Sequence, residues 1–225
     1  MTWRWLALGA SSLPIGDEWL GPRERNVVAQ LSVPKRRLEW RLGRFAAKQA
    51  LASSLGIDRL DRIELIAASD GAPEAFVDGE ATQLFVSISH RERVAACVWS
   101  RDFPVGCDLE VVEARTSRFV DDFFTEAERE RISAMTGKER NRHVALTWSA
   151  KESALKVLRV GLRRDTRGVE VQIEDSEPDE AGWRGISATV VSEALRLRGW
   201  WRQDDDVVLT VLSAGVGASN DPKPE

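Results

Sequence analysis

An internal repeat constrains the fold of this 225-residue chain more than any other feature of its sequence. Residues 47–51 (AKQAL), in a first long helical pattern, lie 103 residues before 150–155 (AKESAL) in a second, and Gly56 and Gly161 follow at nearly the same distance. Strand patterns follow each helix in the same order: 63–66 and 94–99 in the first half, 169–173 and 207–212 in the second. Ordered matches of this kind indicate a duplicated unit.

The repeat predicts an α+β fold in which each copy places one helix on a small antiparallel sheet. Neither copy would bury both faces of its sheet alone, so we expect a pseudo-two-fold duplication with a ligand cleft between the halves. The expected division is an N-terminal half at 1–104, a C-terminal half at 105–214 and a disordered tail at 215–225, where apolar periodicity ends. Thr125 and Glu128 form a capping-box pattern that predicts a helix start.

Composition excludes several classes of function. The formal net charge is −4 with a sequence pI near 5.5, which argues against a general nucleic-acid binder. No apolar run reaches the roughly 18 residues that a membrane span needs, and the amino terminus lacks a signal-peptide pattern. Two cysteines, Cys97 and Cys107, without a C-x-x-C motif fit a reducing compartment. We expect a cytoplasmic protein with both cysteines serving as packing residues.

Acidic side chains on a strand and a helix suggest chemistry at a phosphate. Asp108 and Glu110 are two apart on a strand and point to one face, while Glu152 and Lys156 share a helix face with Trp148. Three carboxylates without Cys or His nearby suit a hard cation, Mg²⁺ or Mn²⁺, that also takes phosphate oxygens. The alternative, ordinary surface acids and an i,i+4 pair, stays open for each residue taken singly.

A basic segment from Arg23 to Lys48 carries a local net charge of +6. Arg44 and Lys48 share one face of the first long helix and are candidates to grip phosphates, whereas for Arg23, Arg25 and Arg41 a solvated face is the preferred interpretation. Ser89 and His90 end a strand, where side chains meet solvent or ligand. No P-loop or nucleophile-elbow pattern accompanies them, and His143 is interpreted as structural.

Several motifs together resemble the 4′-phosphopantetheinyl transferases, in particular the longer, monomeric, surfactin-synthetase-activating type. The resemblance spans about residues 33–162. It rests on five segments in the family's order: 43–48 (GRFAAK), 87–90 (SISH), 105–110 (VGCDLE), 123–128 (FFTEAE) and 148–156 (WSAKESALK). The last two segments at their separation are specific, whereas an isolated G-x-D-x-E is not.

The resemblance implies a fold, an activity and a set of site residues. The activity would be Mg²⁺-dependent transfer of 4′-phosphopantetheine from coenzyme A to a serine of an acyl or peptidyl carrier protein, with release of 3′,5′-ADP. Asp108, Glu110 and Glu152 would hold the metal against the pyrophosphate. Glu152, or a water it orients, would deprotonate the serine, and Lys156 would stabilise the pyrophosphate. The coenzyme's phosphates or adenosine would be contacted by Arg44, Lys48, Ser89 and His90.

This chain departs from the family pattern at three positions. Ala72 stands where the family often has lysine, Arg159 where glycine is frequent, and Cys107 where a branched apolar residue is usual. Phe123 and Phe124 would help receive the carrier protein, or serve as plain core residues. Two other functions stay open: a non-catalytic binding module of the same fold, and a metal-dependent phosphodiesterase, which would need a longer basic surface.

Overall fold

The computed structural model describes residues 2–214 and 223–224. The chain divides into two compact units, residues 1–103 with 223–225, and residues 104–222. The expected boundary lies one residue from this division. Of the tail predicted to be disordered, residues 215–222 and 225 lie outside the described residues, while Lys223 and Pro224 pair in parallel with the first strand, which differs from the prediction for these two.

Five helices and twelve strands make up the described part of the chain. The helices are α1 (Pro22–Gln30), α2 (Pro34–Leu55), α3 (Ser117–Phe123), α4 (Glu126–Ser133) and α5 (Gly137–Val157). The strands are β1 (Thr2–Gly9), β2 (Ile63–Ala67), β3 (Pro73–Val77), β4 (Glu80–Ala81), β5 (Phe85–Arg91), β6 (Val94–Ser100), β7 (Val105–Val111), β8 (Val169–Ile173), β9 (Arg184–Val190), β10 (Leu195–Asp204), β11 (Val207–Ser213) and β12 (Lys223–Pro224). Among the described residues, no helix is both long and apolar enough to span a membrane.

In the first unit, α2 covers two sheets with the strand orders β12-β1-β6-β5 and β2-β3-β4. The helix starts with Pro34 in its first turn and ends at Gly56, whose φ of 66° is left-handed, as the sequence predicts. Ala47 and Leu51 of α2 belong to one buried cluster with Ile63, Leu65 and Cys97 of the sheets. The buried position of Cys97 agrees with its predicted packing role.

In the second unit, α5 lies on one antiparallel sheet with the strand order β7-β11-β10-β9-β8. Its residues Ala150, Ala154 and Leu155 share a buried cluster with Val169 of β8 and Ile186 of β9. The predicted capping box is confirmed, because Thr125 and Glu128 each bind the other's backbone N–H at the start of α4. Asp205 and Asp206 form the turn that joins β10 to β11.

The two units repeat one strand order. Unit two reads β7-β11-β10-β9-β8, and the equivalent strands of unit one read β1-β6-β5 and then β3-β2, with the sheet divided between β5 and β3. The α+β class and the duplication predicted from the sequence are therefore confirmed. The helices α1 and α3 and the strands β3 and β4 were not predicted. The expected ligand cleft between the halves stays a prediction.

Each unit also contains the same buried ion pair. Lys48 of α2 binds Glu24 of α1, and Lys151 of α5 binds Glu128 of α4 at 2.8 Å, with all four side chains at most 1% exposed. Each glutamate also accepts a backbone N–H from the next strand, Glu24 from Leu65 at 2.9 Å and Glu128 from Val171 at 2.8 Å. Each pair thereby ties a long helix to the preceding helix and the following strand.

Candidate active site

A close approach between β7 and α5 brings the acidic strand to the acidic helix face. Gly106 of β7 lies directly under the helix: a Cβ atom there would be 2.1 Å from the carbonyl oxygen of Ser153 and 2.9 Å from the backbone nitrogen of Val157. Because only glycine fits at that distance, the strand residues after Gly106 can reach the helix side chains. The glycine in the V-G-C-D-L-E segment thus allows β7 to pack closely against α5.

Three buried hydroxyls fix the register of α5 on this sheet. The Ser149 hydroxyl donates to the carbonyl oxygen of Asp108 at 3.0 Å and lies 2.8 Å from the Thr210 hydroxyl of β11. Ser153, one turn later, is also 2.8 Å from the Thr210 hydroxyl, and all three side chains are fully buried. Thr210 is the cross-strand partner of Asp108, so the network holds the helix beside that carboxylate. The sequence interpretation missed these residues, although two serines at i and i+4 in an otherwise apolar face were a visible signal.

Asp108 and Lys156 form the central ion pair of the second unit. The Lys156 ammonium donates to Oδ1 of Asp108 at 2.9 Å and to the Cys107 carbonyl oxygen at 2.8 Å. Burial alone would lower the pKa of Lys156, but the charges of Asp108, Cys107 and Glu152 and the hydrogen bond to Asp108 raise it above its ordinary value. Lys156 is therefore a fixed positive charge.

Glu152 is a half-buried carboxyl on the same face of α5. Burial first, and then the negative charges of Asp108 and Glu110, raise its pKa to about 7, with the charge of Lys156 acting in the opposite direction. A carboxyl that titrates near neutrality can both accept and release a proton under ordinary conditions. The structure thus brings together four of the residues predicted from the sequence, Asp108, Glu110, Glu152 and Lys156, in electrostatic contact.

Glu110 is held by a residue that the sequence interpretation did not consider. Arg115, in the segment after β7, donates to Oε2 of Glu110 at 3.2 Å and lies 3.0 Å from Oε1 of Glu113. Its guanidinium also lies over the Phe119 ring, 5.2 Å from the centroid. Two of the three predicted metal ligands are therefore neutralised by side chains of this chain.

The carboxylates of the second unit match a divalent cation in the type of their donor atoms. Three carboxylates are the hard oxygen ligands that Mg²⁺ and Mn²⁺ prefer, and their mutual repulsion, which adds to burial in raising the pKa of Glu152, is a cost that a cation relieves. In the described part of the chain, however, no three His, Cys, Asp or Glu side chains converge closely enough to hold a metal ion. The residues fit a metal in chemistry, and their carboxylates are not preassembled around one position.

In the first unit, Arg44, Ser89 and His90 have different surroundings. The Arg44 Nε donates to the Leu65 carbonyl oxygen at 2.9 Å, and its guanidinium lies 4.9 Å from the Trp40 ring centroid. Burial lowers the pKa of Arg44 from its ordinary value, an effect that Glu24 partly offsets. On β5, Ser89 is buried and His90 is exposed.

Comparisons with known proteins match most of the chain. Residues 104–211 match the model described as 4′-phosphopantetheinyl transferase superfamily, and residues 23–100 match the model described as 4′-phosphopantetheinyl transferase N-terminal domain. The chain belongs to the 4′-phosphopantetheinyl transferase superfamily. A holo-[acyl-carrier-protein] synthase of Geobacillus sp. (strain WCH70) is 35% identical over 79 residues. That match covers 33% of this chain and just under two thirds, 66%, of the relative.

The two superfamily matches separate the candidate residues by unit. The N-terminal-domain match contains Arg44, Lys48, Ser89 and His90, and the superfamily match contains the carboxylates and Lys156. Lys48 requires a correction: its side chain is 0% exposed, and its ammonium donates to Glu24 and, at 2.9 Å, to the Trp19 carbonyl oxygen. The predicted contact of Lys48 with coenzyme phosphates is wrong for this structure, because its ammonium is buried and paired with Glu24 inside the unit.

The basic segment of this superfamily member is also less solvated than predicted. Arg41 is 13% exposed; it binds Asp17 at 2.7 Å and donates to the carbonyl oxygens of residues 14–16. Arg23 binds Glu64 at 2.7 Å and Arg25 donates to the Leu20 carbonyl oxygen. The solvated-face interpretation is wrong for Arg41, and Arg23 and Arg25 each have a partner in the unit. These arginines anchor the loop before α1 and the start of α2.

Two further sequence features acquire a structural explanation. Arg159, where the superfamily often has glycine, has a φ of 56° just after α5, a left-handed conformation that favours glycine. Phe124 is fully buried, and Phe123 lies with Phe119 and Trp148 in an aromatic cluster whose ring centroids are 5.0 to 5.1 Å apart. Phe124 is therefore a core residue, which was the second of the two roles considered for it from the sequence.

Proposed function

We propose that this protein transfers the 4′-phosphopantetheine group of coenzyme A to a serine of an acyl or peptidyl carrier protein and releases 3′,5′-ADP. Membership of the superfamily over both units supports the reaction class. The single observation that carries the assignment of residues is the half-buried Glu152, with a pKa of about 7, on the helix face that also presents the Asp108–Lys156 pair.

The proposed reaction needs a base and a positive charge. The serine hydroxyl donates its proton to Glu152, directly or through a water, as its oxygen forms a bond to the phosphorus that carries pantetheine. The bond from that phosphorus to the oxygen of 3′,5′-ADP breaks. Lys156, held protonated by Asp108, offsets the negative charge that grows on the departing group.

We also propose a divalent-metal requirement, with Mg²⁺ as the ion and Mn²⁺ as a substitute. Asp108, Glu110 and Glu152 would hold the ion, which supplies charge neutralisation at the pyrophosphate. Support comes from the oxygen donors and from the repulsion among the carboxylates, which after burial is the next cause of the raised pKa of Glu152. Glu110 is engaged by Arg115 and Asp108 by Lys156, so a bound ion would share these carboxylates with the two cationic side chains or displace one of them.

In the first unit, the residues proposed to contact the coenzyme are Arg44, Ser89 and His90. Arg44 keeps its Nε on the Leu65 backbone, which holds the guanidinium in place, and His90 is exposed. Lys48 is not part of this set. We further propose that the protein acts in the cytoplasm as a monomer, with no nucleic acid or membrane as partner; light scattering of the purified chain tests its oligomeric state.

The decisive experiment incubates a panel of apo-carrier proteins with coenzyme A and Mg²⁺ and follows their intact masses. A gain of one phosphopantetheine on a carrier, lost with E152Q and kept with E139Q, is the expected result. Glu139 is a matched control because it is an exposed glutamate on the same helix. Absence of the mass gain on every carrier, or full activity of E152Q, would overturn the proposal.

A non-catalytic binding module of the same fold gives a different pattern. Such a protein would bind coenzyme A in calorimetry with an affinity that ignores Mg²⁺, and would modify no carrier. Digestion of a labelled oligonucleotide, in contrast, would reveal phosphodiesterase activity. The arrangement of Glu152 beside Asp108 and Lys156 favours the transferase over the binding module. A carboxyl group with a pKa of about 7 is suited to proton transfer, which binding alone does not require.

A further inference from the structure

Arg115 occupies a position between the carboxylates and the aromatic cluster of the second unit. It contacts Glu110 at 3.2 Å and Glu113 at 3.0 Å, and its guanidinium lies over the Phe119 ring. Its carbonyl oxygen accepts a hydrogen bond from Arg140 of α5 at 3.2 Å, which anchors the backbone at this point. The Arg115 side chain is 27% exposed, so it has room to move.

The two carboxylates that Arg115 joins differ in environment. The Glu110 side chain is 11% exposed, on the strand that carries Asp108, whereas the Glu113 side chain is 47% exposed beyond the end of that strand. A guanidinium can keep one carboxylate partner while it releases the other, because its N–H donors form a fork. Stacking on Phe119 restrains the group during such an exchange.

A divalent cation and Arg115 compete for Glu110. Both are positive, both need the same carboxylate oxygens, and two cations close together repel in a partly buried setting. Lys156 has the corresponding position at Asp108, but its ammonium is also fixed by the Cys107 carbonyl oxygen and faces Glu152. Arg115 is therefore the cation that can leave with the smaller loss.

We propose that Arg115 is a positioning residue that holds Glu110 until a divalent cation binds, and that then releases Glu110 while it keeps its contact with Glu113. The inference rests on the proposed function, because it takes Glu110 as a ligand of the reaction's metal. In this role Arg115 would set the affinity for the metal. While it is paired with Glu110, it keeps that carboxylate aligned and neutralised, and it weakens cation binding because it competes for the same ligand.

The test measures Mn²⁺ binding to the purified full-length protein without coenzyme A, from the free-Mn²⁺ signal in electron paramagnetic resonance. R115Q is expected to bind Mn²⁺ roughly two- to fivefold more tightly than the wild type, the upper range of a partly exposed ion pair. R118Q is the matched control, because the Arg118 side chain is 89% exposed and lies 3.5 Å from Asp122 of α3. It should bind as the wild type does.

Two further variants separate competition from simple charge removal. E113Q replaces the second carboxylate partner of Arg115 by a neutral amide and should weaken Mn²⁺ binding, because the arginine then keeps no ion pair when it releases Glu110. The double variant R115Q/E110Q should lose the gain of R115Q. Equal or weaker Mn²⁺ binding by R115Q, or no saturable binding by either the wild type or R115Q, would overturn the inference.

The Mn²⁺-binding experiment tests the role of Arg115, and the carrier assay tests the transfer reaction, so the two proposals can fail independently. If R115Q binds Mn²⁺ more tightly while no carrier gains mass, the control of Glu110 by Arg115 stands and the proposed transfer reaction is wrong. If carriers are modified while R115Q leaves Mn²⁺ affinity unchanged, the transfer reaction stands and the role of Arg115 is wrong. Circular dichroism of each variant verifies that the fold is retained.

Discussion

Lys48 and Lys151 occupy equivalent positions in the two units, and each is fully buried against a glutamate that also binds the backbone of the following strand. Burial lowers the pKa of both lysines, and the neighbouring glutamates oppose this shift. A charge in such a place is tolerated because carbonyl oxygens complete its hydrogen bonds: Trp19 for Lys48, and Thr166 and Val169 for Lys151.

Removal of one partner of the buried pair should destabilise the second unit strongly. We expect K151M to lower the free energy of unfolding by about 3–5 kcal/mol, since Glu128 would then be a buried charge without its cation. The double variant K151M/E128L should recover much of the loss, because no charge remains buried. Urea unfolding followed by circular dichroism measures both; a double variant as unstable as the sum of its single variants would contradict this account.

Alanine at position 106 should separate α5 from β7. A Cβ atom 2.1 Å from the Ser153 carbonyl oxygen cannot be accommodated without backbone movement, and we expect a loss of about 1–3 kcal/mol for G106A. Because the same movement shifts Glu152 away from Asp108, carrier modification should fall more than stability alone explains. G168A is the control, since nothing lies within 4 Å of a Cβ there. Equal stability of the two variants would show that the close approach has no energetic weight.

Glycine at position 159 should stabilise the protein. Arg159 has a φ of 56°, and the left-handed conformation costs a residue with a Cβ about 1–2 kcal/mol, partly offset by the greater unfolded-state entropy of glycine. We expect R159G to raise the midpoint of thermal unfolding by a few degrees. R163G, on the next turn and without a positive φ, should not do so. A lower midpoint for R159G would indicate that its side-chain contacts outweigh the strain.

His143 should make stability depend on pH. Burial lowers its pKa below the ordinary value near 6.5, and the charge of Arg131 lowers it further. The unfolded chain therefore binds a proton before the folded chain does, so stability falls as the pH drops from above about 6.5 through the folded pKa. Glu152, with its raised pKa, contributes the opposite slope, so the informative quantity is the difference between wild type and H143Q.

Unfolding in urea at pH 7.5 and at pH 5.5 measures this difference. H143Q should lose less stability than the wild type on acidification, because glutamine does not titrate. An identical loss in both proteins would mean that His143 is protonated as easily in the folded state as in the unfolded one.

The repeat in the sequence predicted the α+β class and the equivalence of the two long helices, because helical and strand periodicities are local. It did not predict that Lys48 points inward. A lysine four residues from Arg44 resembles a phosphate-binding face, and its partner Glu24 belongs to a helix that was not predicted. The repeat held the missing signal: Glu24 and Glu128 are 104 residues apart, and Lys48 and Lys151 are 103 apart.

The identity of the candidate site residues was predicted from the sequence more fully than the contacts between them. Spacing placed Asp108 and Glu110 on one strand face and Glu152 and Lys156 on one helix face. It could not show that Arg115 holds Glu110, because this contact depends on the course of the segment after β7. Nor could it show the close approach at Gly106, which requires two elements to be packed together.

The buried lysine of α5 also sets the rotation of that helix about its own axis. Adjacent helix residues are separated by about 100° around the axis, so Lys151 facing inward fixes the direction of its neighbour Glu152. In α2 the buried lysine is Lys48, and it sets the direction of its neighbour Gln49 in the same way. Gln49 is exposed and carries no charge. The two copies therefore orient the helix in the same way, and the position after the buried lysine carries an amide, Gln49, in one copy and a carboxylate, Glu152, in the other.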